Sequence, residues 1–198
     1  MSIKKTGKIG FRLYVLDPYI IAAHHKDYFP KGNGEMGPIE MPFGKNNGAD
    51  FDENATWRMY HGDTISGFPA HPHRGFETIT IMTEGFVDHF DSKGSKGRYG
   101  QGDVQWMTAG SGIQHSEMFP MLNDTSENPM ELFQIWLNLP AKNKFATPDY
   151  KMLWNEDIPV VREQDESGNS IEVKLIAGEY KGIKAIDPIS ASWAYDRR

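Results

Sequence analysis

Two pairs of metal-capable side chains stand out, His71 with His73 and His115 with Glu117. Within each pair a single residue intervenes. On an extended strand, residues two apart point to the same face, about 7 Å apart along the chain. Each pair can therefore aim two ligands at one point. Pro72, between the first two, donates no backbone hydrogen bond and fixes its own φ, which suits a barrel lip or a sheet edge. From His73 to His115 is 42 residues (115 − 73). That holds about four short strands, enough to return to a neighbouring strand. Three neutral imidazoles and one carboxylate around a divalent ion leave two octahedral positions open, as an oxygen-activating or Lewis-acid metal requires. Iron(II) suits this set best; manganese, nickel, copper and zinc are alternatives.

Glu77 is a rival fourth ligand. Counted as 71, 73, 75, 77, it falls on the face of the two histidines. Its alternative role is to accept an imidazole N–H from behind the ligands. Arg74 has opposite parity and is expected to point outward. His61, His89 and the pair His24 and His25 lack a same-face partner at fixed spacing and are expected outside the site. His89, between Asp88 and Asp91, is expected to be solvated. Trp106, Met107, Phe133 and Trp136 read as core. The even-numbered residues Gln134, Trp136 and Asn138 could instead line a cavity. The bland reading of both pairs is chance on half-exposed strands. Two pairs beside glycine turns in a cysteine-free β sequence favour ligation.

The elements around these residues are short strands. Ile9, Phe11, Leu13 and Val15 alternate with other residues until Asp17-Pro18 breaks the run. Phe29 to Asn54 is rich in Gly, Pro and Asn and reads as a long surface loop, with a lid as the alternative. Thr78 to Thr83, Phe86 to Phe90, Val104 to Thr108 and Glu131 to Leu139 are β-forming runs separated by glycine turns. Helical periodicity is nearly absent. This pattern predicts an all-β sandwich or barrel. Ile171 to Ile176 adds another strand near the end.

The chain has 198 residues, no cysteine and a net charge of −6. The absence of thiols excludes disulfides, zinc–thiolate sites and iron–sulfur clusters. The acidic balance argues against direct nucleic-acid binding. No apolar run reaches the ~18 residues of a membrane span, and the first residues do not form a secretory signal. A soluble, cytoplasmic protein is expected.

His71 to Thr78, Gly102 to Gly110 and Gly112 to Met118 resemble the signature blocks of the pirin family, within the cupin superfamily. The likeness is dense from Phe68 to Pro120 and continues through Glu131 to Pro140. The long loop looks like that of a bacterial pirin-like subgroup. The resemblance implies a bicupin, with antiparallel β-barrels in tandem and the metal in the first. It places the ligands at His71, His73, His115 and Glu117, which favours Glu117 over Glu77, and it implies iron. It also implies either a quercetin 2,3-dioxygenase, with a phenolic substrate, O₂ and Glu117, or alternatively Glu77, as catalytic base, or a non-catalytic, iron-dependent regulatory protein that binds partners. A first domain is expected over 1–140. The start of a second, incomplete cupin is expected over 141–198, with dimerisation through its unpaired strands.

Overall fold

The computed structural model describes residues 9–40, 52 and 62–185. Part of the long loop and His61 lie outside the described residues. Among the described residues the structure is almost entirely β, as expected, with one 3₁₀ turn at Ala141–Asn143. No described helix is long and apolar enough to cross a membrane.

The strands in chain order are β1 (Arg12–Leu13), β2 (Tyr19–Phe29), β3 (Ser66–His73), β4 (Phe76–Glu84), β5 (Phe86–Asp91), β6 (Lys96–Gly100) and β7 (Val104–Thr108). They continue with β8 (Ile113–Phe119), β9 (Asn128–Asn138), β10 (Asp149–Leu153), β11 (Val160–Gln164), β12 (Ser170–Lys174), β13 (Glu179–Tyr180) and β14 (Ile183–Lys184). One sheet has the order β1-β2-β9-β4-β7-β10 and a second has the order β3-β8-β5-β6. All pairings are antiparallel. The two sheets enclose Phe29, Met82, Val87, Tyr99, Phe119, Met130 and Leu132, all nearly inaccessible. These residues come from both sheets, which makes this cluster the floor of a cupin-type barrel.

The period of two sorts every strand. On β4, Thr80 and Met82 face the barrel interior, whereas Ile79 faces out. On β9, Met130 and Leu132 face in. Ile135 and Leu137 face out, where they join Ile79, Val104, Trp106, Leu153 and Ile158 in a second cluster. The outer face of the larger sheet is thus covered by the chain that follows β10.

Three features of the sequence reading change. The first extended run is split: β1 keeps two residues and the long strand is β2, which carries His24 and His25. The described start of the loop beyond it, residues 33–37, is locally organised, because the Asn33 side chain accepts from the amides of Glu35 and Gly37 at 2.8 and 3.1 Å. Asp149–Leu153, in a stretch where the sequence showed no strand pattern, pairs with β7 as the sixth strand of the first sheet.

A bulge in β3 sets the register that matters most. Phe68 lies opposite Glu117 and His71 opposite His115, so three steps on β3 meet two on β8. The extra residue brings Phe68 and His71 to the same interior face. Gly67, just before the bulge, has φ +118. A Cβ there would press on the Glu117 carbonyl and sit 2.6 Å from Met118 Cα. Gly67→Ala should therefore cost about 2 kcal/mol or more of stability through strain and β8 displacement. A lowered urea midpoint at unchanged m-value would show it, and an unchanged midpoint would refute it.

Candidate metal centre

The site lies where β3 and β8 run side by side inside the barrel. His71 and His115 are direct cross-strand partners, and His73 follows two residues on from His71. The ring centroids of His71, His73 and His115 are 4.4 to 4.9 Å apart. One nitrogen from each lies within 4.8 Å of the others, the geometry expected of three ligands to one ion. Among the described residues these are the histidines and carboxylates that form such a group.

Each ring is turned by what stands behind it. His71 Nδ1 is 2.8 Å from the carbonyl of Pro69, in the bulge, so it donates there and leaves Nε2 for the centre. His115 Nδ1 is 3.4 Å from His89 Nδ1. His115 Nε2 is buried and has no hydrogen-bond partner. A bare, dry imidazole nitrogen is costly in an apolar interior and is the lone pair a cation would use. The residues present therefore fit a metal ion.

His73 and His115 are also held neutral. Burial, then repulsion from His115 and His71, lowers the His73 pKa to about 4. Burial, then repulsion from His71 and His89, lowers that of His115 to about 3. Neutral imidazole is the ligating form.

Glu117 stands beside the triad. Its Oε2 is 3.9 Å from His115 Nε2 and accepts from Gln134 Nε2 at 3.1 Å, and its Oε1 lies 3.4 Å from the Thr80 hydroxyl. It is 3% exposed. The carboxylate is thus tethered on the metal side of a cavity of about 280 Å³. Phe68, Trp136, Phe11, Ile21 and Ala23 supply the apolar walls of that cavity, and His71, His73 and Glu117 a polar end. Trp136 stands edge-on to His73, with centroids 5.2 Å apart.

Glu77 is not part of this centre. Gly75, at φ +78, turns the chain between β3 and β4, so counting by twos from His73 fails. Glu77 faces the outer side of the larger sheet. There it accepts from Trp106 Nε1 at 2.9 Å and from the Thr108 hydroxyl at 2.7 Å.

His89 also departs from expectation. It is 3% exposed, not solvated. Its Nε2 lies 3.2 Å from Asp91 Oδ2, and its ring stacks on Tyr150 of β10 at 4.8 Å. His24 pairs with Glu131 at 2.8 Å and stacks on Phe133, a structural role. His25 lines the cavity from β2. Arg74 is exposed, its guanidinium over the Phe145 ring at 4.8 Å. Trp106 and Met107 are core, whereas Gln134 and Trp136 line the cavity and Asn138 instead accepts from Lys144. The β2 wall was not foreseen, although Ile21, Ala23 and His25 carry the same period of two.

A family model for pirin matches residues 36–137, just over half of the chain. The chain belongs to the pirin family. It is 50% identical to Pirin-1 of Arabidopsis thaliana over 120 residues, 61% of this chain and 38% of that protein. A Thermoplasma acidophilum protein provisionally named a quercetin 2,3-dioxygenase is 37% identical over 161 residues, 78% of this chain and 54% of its own. A crystal structure of quercetin 2,3-dioxygenase from Acinetobacter baumannii superposes with a TM-score of 0.63 at 30% identity, covering 87% of this chain and 49% of that one. This pirin chain spans between two-fifths and about half of these relatives.

Two tests follow from the site. His73 and His115 bind protons less readily when folded than at the unfolded value near 6.5. The unfolded chain therefore takes up protons first as the pH falls. Stability of the metal-free protein should be full above about pH 6.5 and decline toward pH 4 and 3. The urea midpoint should drop between pH 7 and pH 5, and a His73→Gln, His115→Gln double variant should lose much of that drop. Glu77→Ala leaves two buried donors unpaired and should cost about 1–3 kcal/mol for each while leaving metal affinity unchanged. A large loss of metal binding in that variant would return Glu77 to the site.

Proposed function

We propose that this pirin holds iron(II) through His71, His73, His115 and Glu117 and dioxygenates a flavonol-like phenol. The observation that carries the reading is the convergence of three imidazoles, those of His73 and His115 held neutral by burial, at the polar end of an otherwise apolar cavity. The likeness to proteins named quercetin 2,3-dioxygenase supports the substrate class. About 280 Å³ lies just below the usual range for small-molecule sites, which suits a flat aromatic entering from an open mouth.

When bound, the metal supplies open coordination positions and a redox couple for O₂. The protein supplies placement and a base. Trp136 and Phe68 offer aromatic faces for the substrate rings. The apolar walls limit water, which would otherwise compete for the polar end. Glu117 accepts the proton of the reacting hydroxyl through an oxygen that faces the cavity. Gln134 and Thr80 hold that carboxylate in place before the substrate arrives. The net charge of −6 favours a small organic substrate over a nucleic acid. The chain after Leu153, with its hairpins β11–β12 and β13–β14, forms the beginning of a second cupin in this reading, supported by the greater length of the relatives.

The test is O₂ uptake after anaerobic loading with iron(II) and addition of quercetin. Uptake should be abolished by His115→Ala. Glu117→Gln should lower kcat by about 10²-fold or more, the scale of a lost general base. Tight iron binding without uptake would sink the dioxygenase and favour an iron-responsive binding protein.

A further inference from the structure

His89 and Asp91 form a third pair at i, i+2, on β5, and both side chains are buried in the barrel. Asp91 faces His115 across the β5–β8 ladder, and His89 faces Glu117. The pair therefore sits directly behind the metal centre rather than in it.

The hydrogen bonds around His89 leave little freedom for its protons. Asp91 Oδ1 is taken by the amides of Lys93 and Ser95 at 2.8 and 3.1 Å, which fixes the carboxylate. Its Oδ2 accepts from His89 Nε2 at 3.2 Å. On the far side of the ring, Gln105 Nε2 is 2.7 Å from His89 Nδ1. The Gln105 carbonyl is already taken by the Tyr99 hydroxyl at 2.8 Å, so the amide presents its N–H to His89. An N–H can point only at a bare nitrogen. His89 Nδ1 is therefore an acceptor. His115 Nδ1 lies 3.4 Å from the same nitrogen; a second bare nitrogen there would repel it, so the His115 proton sits on Nδ1 and weakly shares the lone pair that the Gln105 amide takes at 2.7 Å. With its single proton on Nδ1, His115 turns a bare Nε2 toward His71 and His73.

From this chain of donors we infer that His89, fixed by Asp91 and Gln105, is a positioning residue that sets the tautomer and aim of His115 for metal binding. Metal-ligating histidines usually pass their second N–H to a carboxylate, a carbonyl or water, and that partner tunes affinity. His71 follows the rule with Pro69. His115 follows it through another imidazole, which carries the influence of a carboxylate one ring further back. The inference rests on His115 being a metal ligand.

Two measurements on the full chain test it. The first is the nitrogen chemical shifts of His115 in the metal-free protein labelled with ¹⁵N-histidine. A protonated Nδ1 and a bare Nε2 are expected, and a proton on Nε2 overturns the inference without any variant. The second is cobalt(II) affinity by equilibrium dialysis, with visible absorption as a coordination signature. His89→Leu removes the acceptor and should weaken cobalt binding by about tenfold to a hundredfold, with the His115 proton shared between its nitrogens. His89→Asn puts an amide oxygen near the place of Nδ1 and should restore binding to near the wild-type value. A folded His89→Leu protein with wild-type affinity and an unchanged cobalt spectrum overturns the positioning role, as does a failure of His89→Asn to improve on it. If wild type binds no cobalt while its His115 shifts are as expected, the metal reading itself falls, which separates the two failures.

Discussion

Three imidazoles packed nitrogen to nitrogen inside a barrel cannot all carry charge, and the rest of the site is arranged around that constraint. Water is scarce where His115 lies, and each neighbouring ring would repel a second positive charge. His73 and His115 are therefore stable as neutral rings. That arrangement is poor as packing, since it leaves His115 Nε2 without a hydrogen bond. It is good as a receptor, because no proton has to be expelled from His73 or His115 at neutral pH before a cation enters.

Holding such a cluster requires a rigid frame, and the barrel supplies it in two halves. One end is filled by Phe29, Met82, Tyr99, Phe119 and their neighbours, with no room for solvent. The other end carries polar side chains from four strands: Thr80, Gln105, His115, Glu117 and Gln134. Buried polar groups destabilise unless they are paired, so these side chains bond mainly to one another. The bulge in β3 is the device that admits His71 and His73 to this layer, since a regular ladder would put Phe68 and His71 on opposite faces.

How much of this was legible in the sequence follows from the same geometry. The i, i+2 spacing rule puts His71 with His73, and His115 with Glu117, on common faces because each pair lies within one strand. It failed for Glu77 because Gly75 adopts a left-handed conformation and the count ran through a turn. It was not applied to His89 and Asp91, although the spacing is identical. The flanking Asp88 and Asp91 suggested solvent, yet only Asp88 points outward, where it pairs with Arg98. A strand period of two places alternate acidic residues on opposite sides, so neighbours in sequence say little about burial. The cavity wall from β2 was hidden for another reason: Ile21 and Ala23 gain a role only through pairing with β9, more than a hundred residues away.

The outer face of the larger sheet shows what the chain after Pro140 packs against. Ile79, Trp106 and Leu137 form an apolar surface too large to leave wet, and Leu153, Ile158 and Ile176 close it. β10 does two jobs at once. Leu153 joins that outer cluster, while Tyr150, of opposite parity, lies against His89 inside. Burial, with the nearby Asp91 and Glu117 charges, pushes the Tyr150 hydroxyl up to about 12, so it remains a neutral wall to the histidine chain. The segment after Asn138 thus packs against the histidine cluster from behind, through Tyr150 on His89, as well as against the outer face of the sheet.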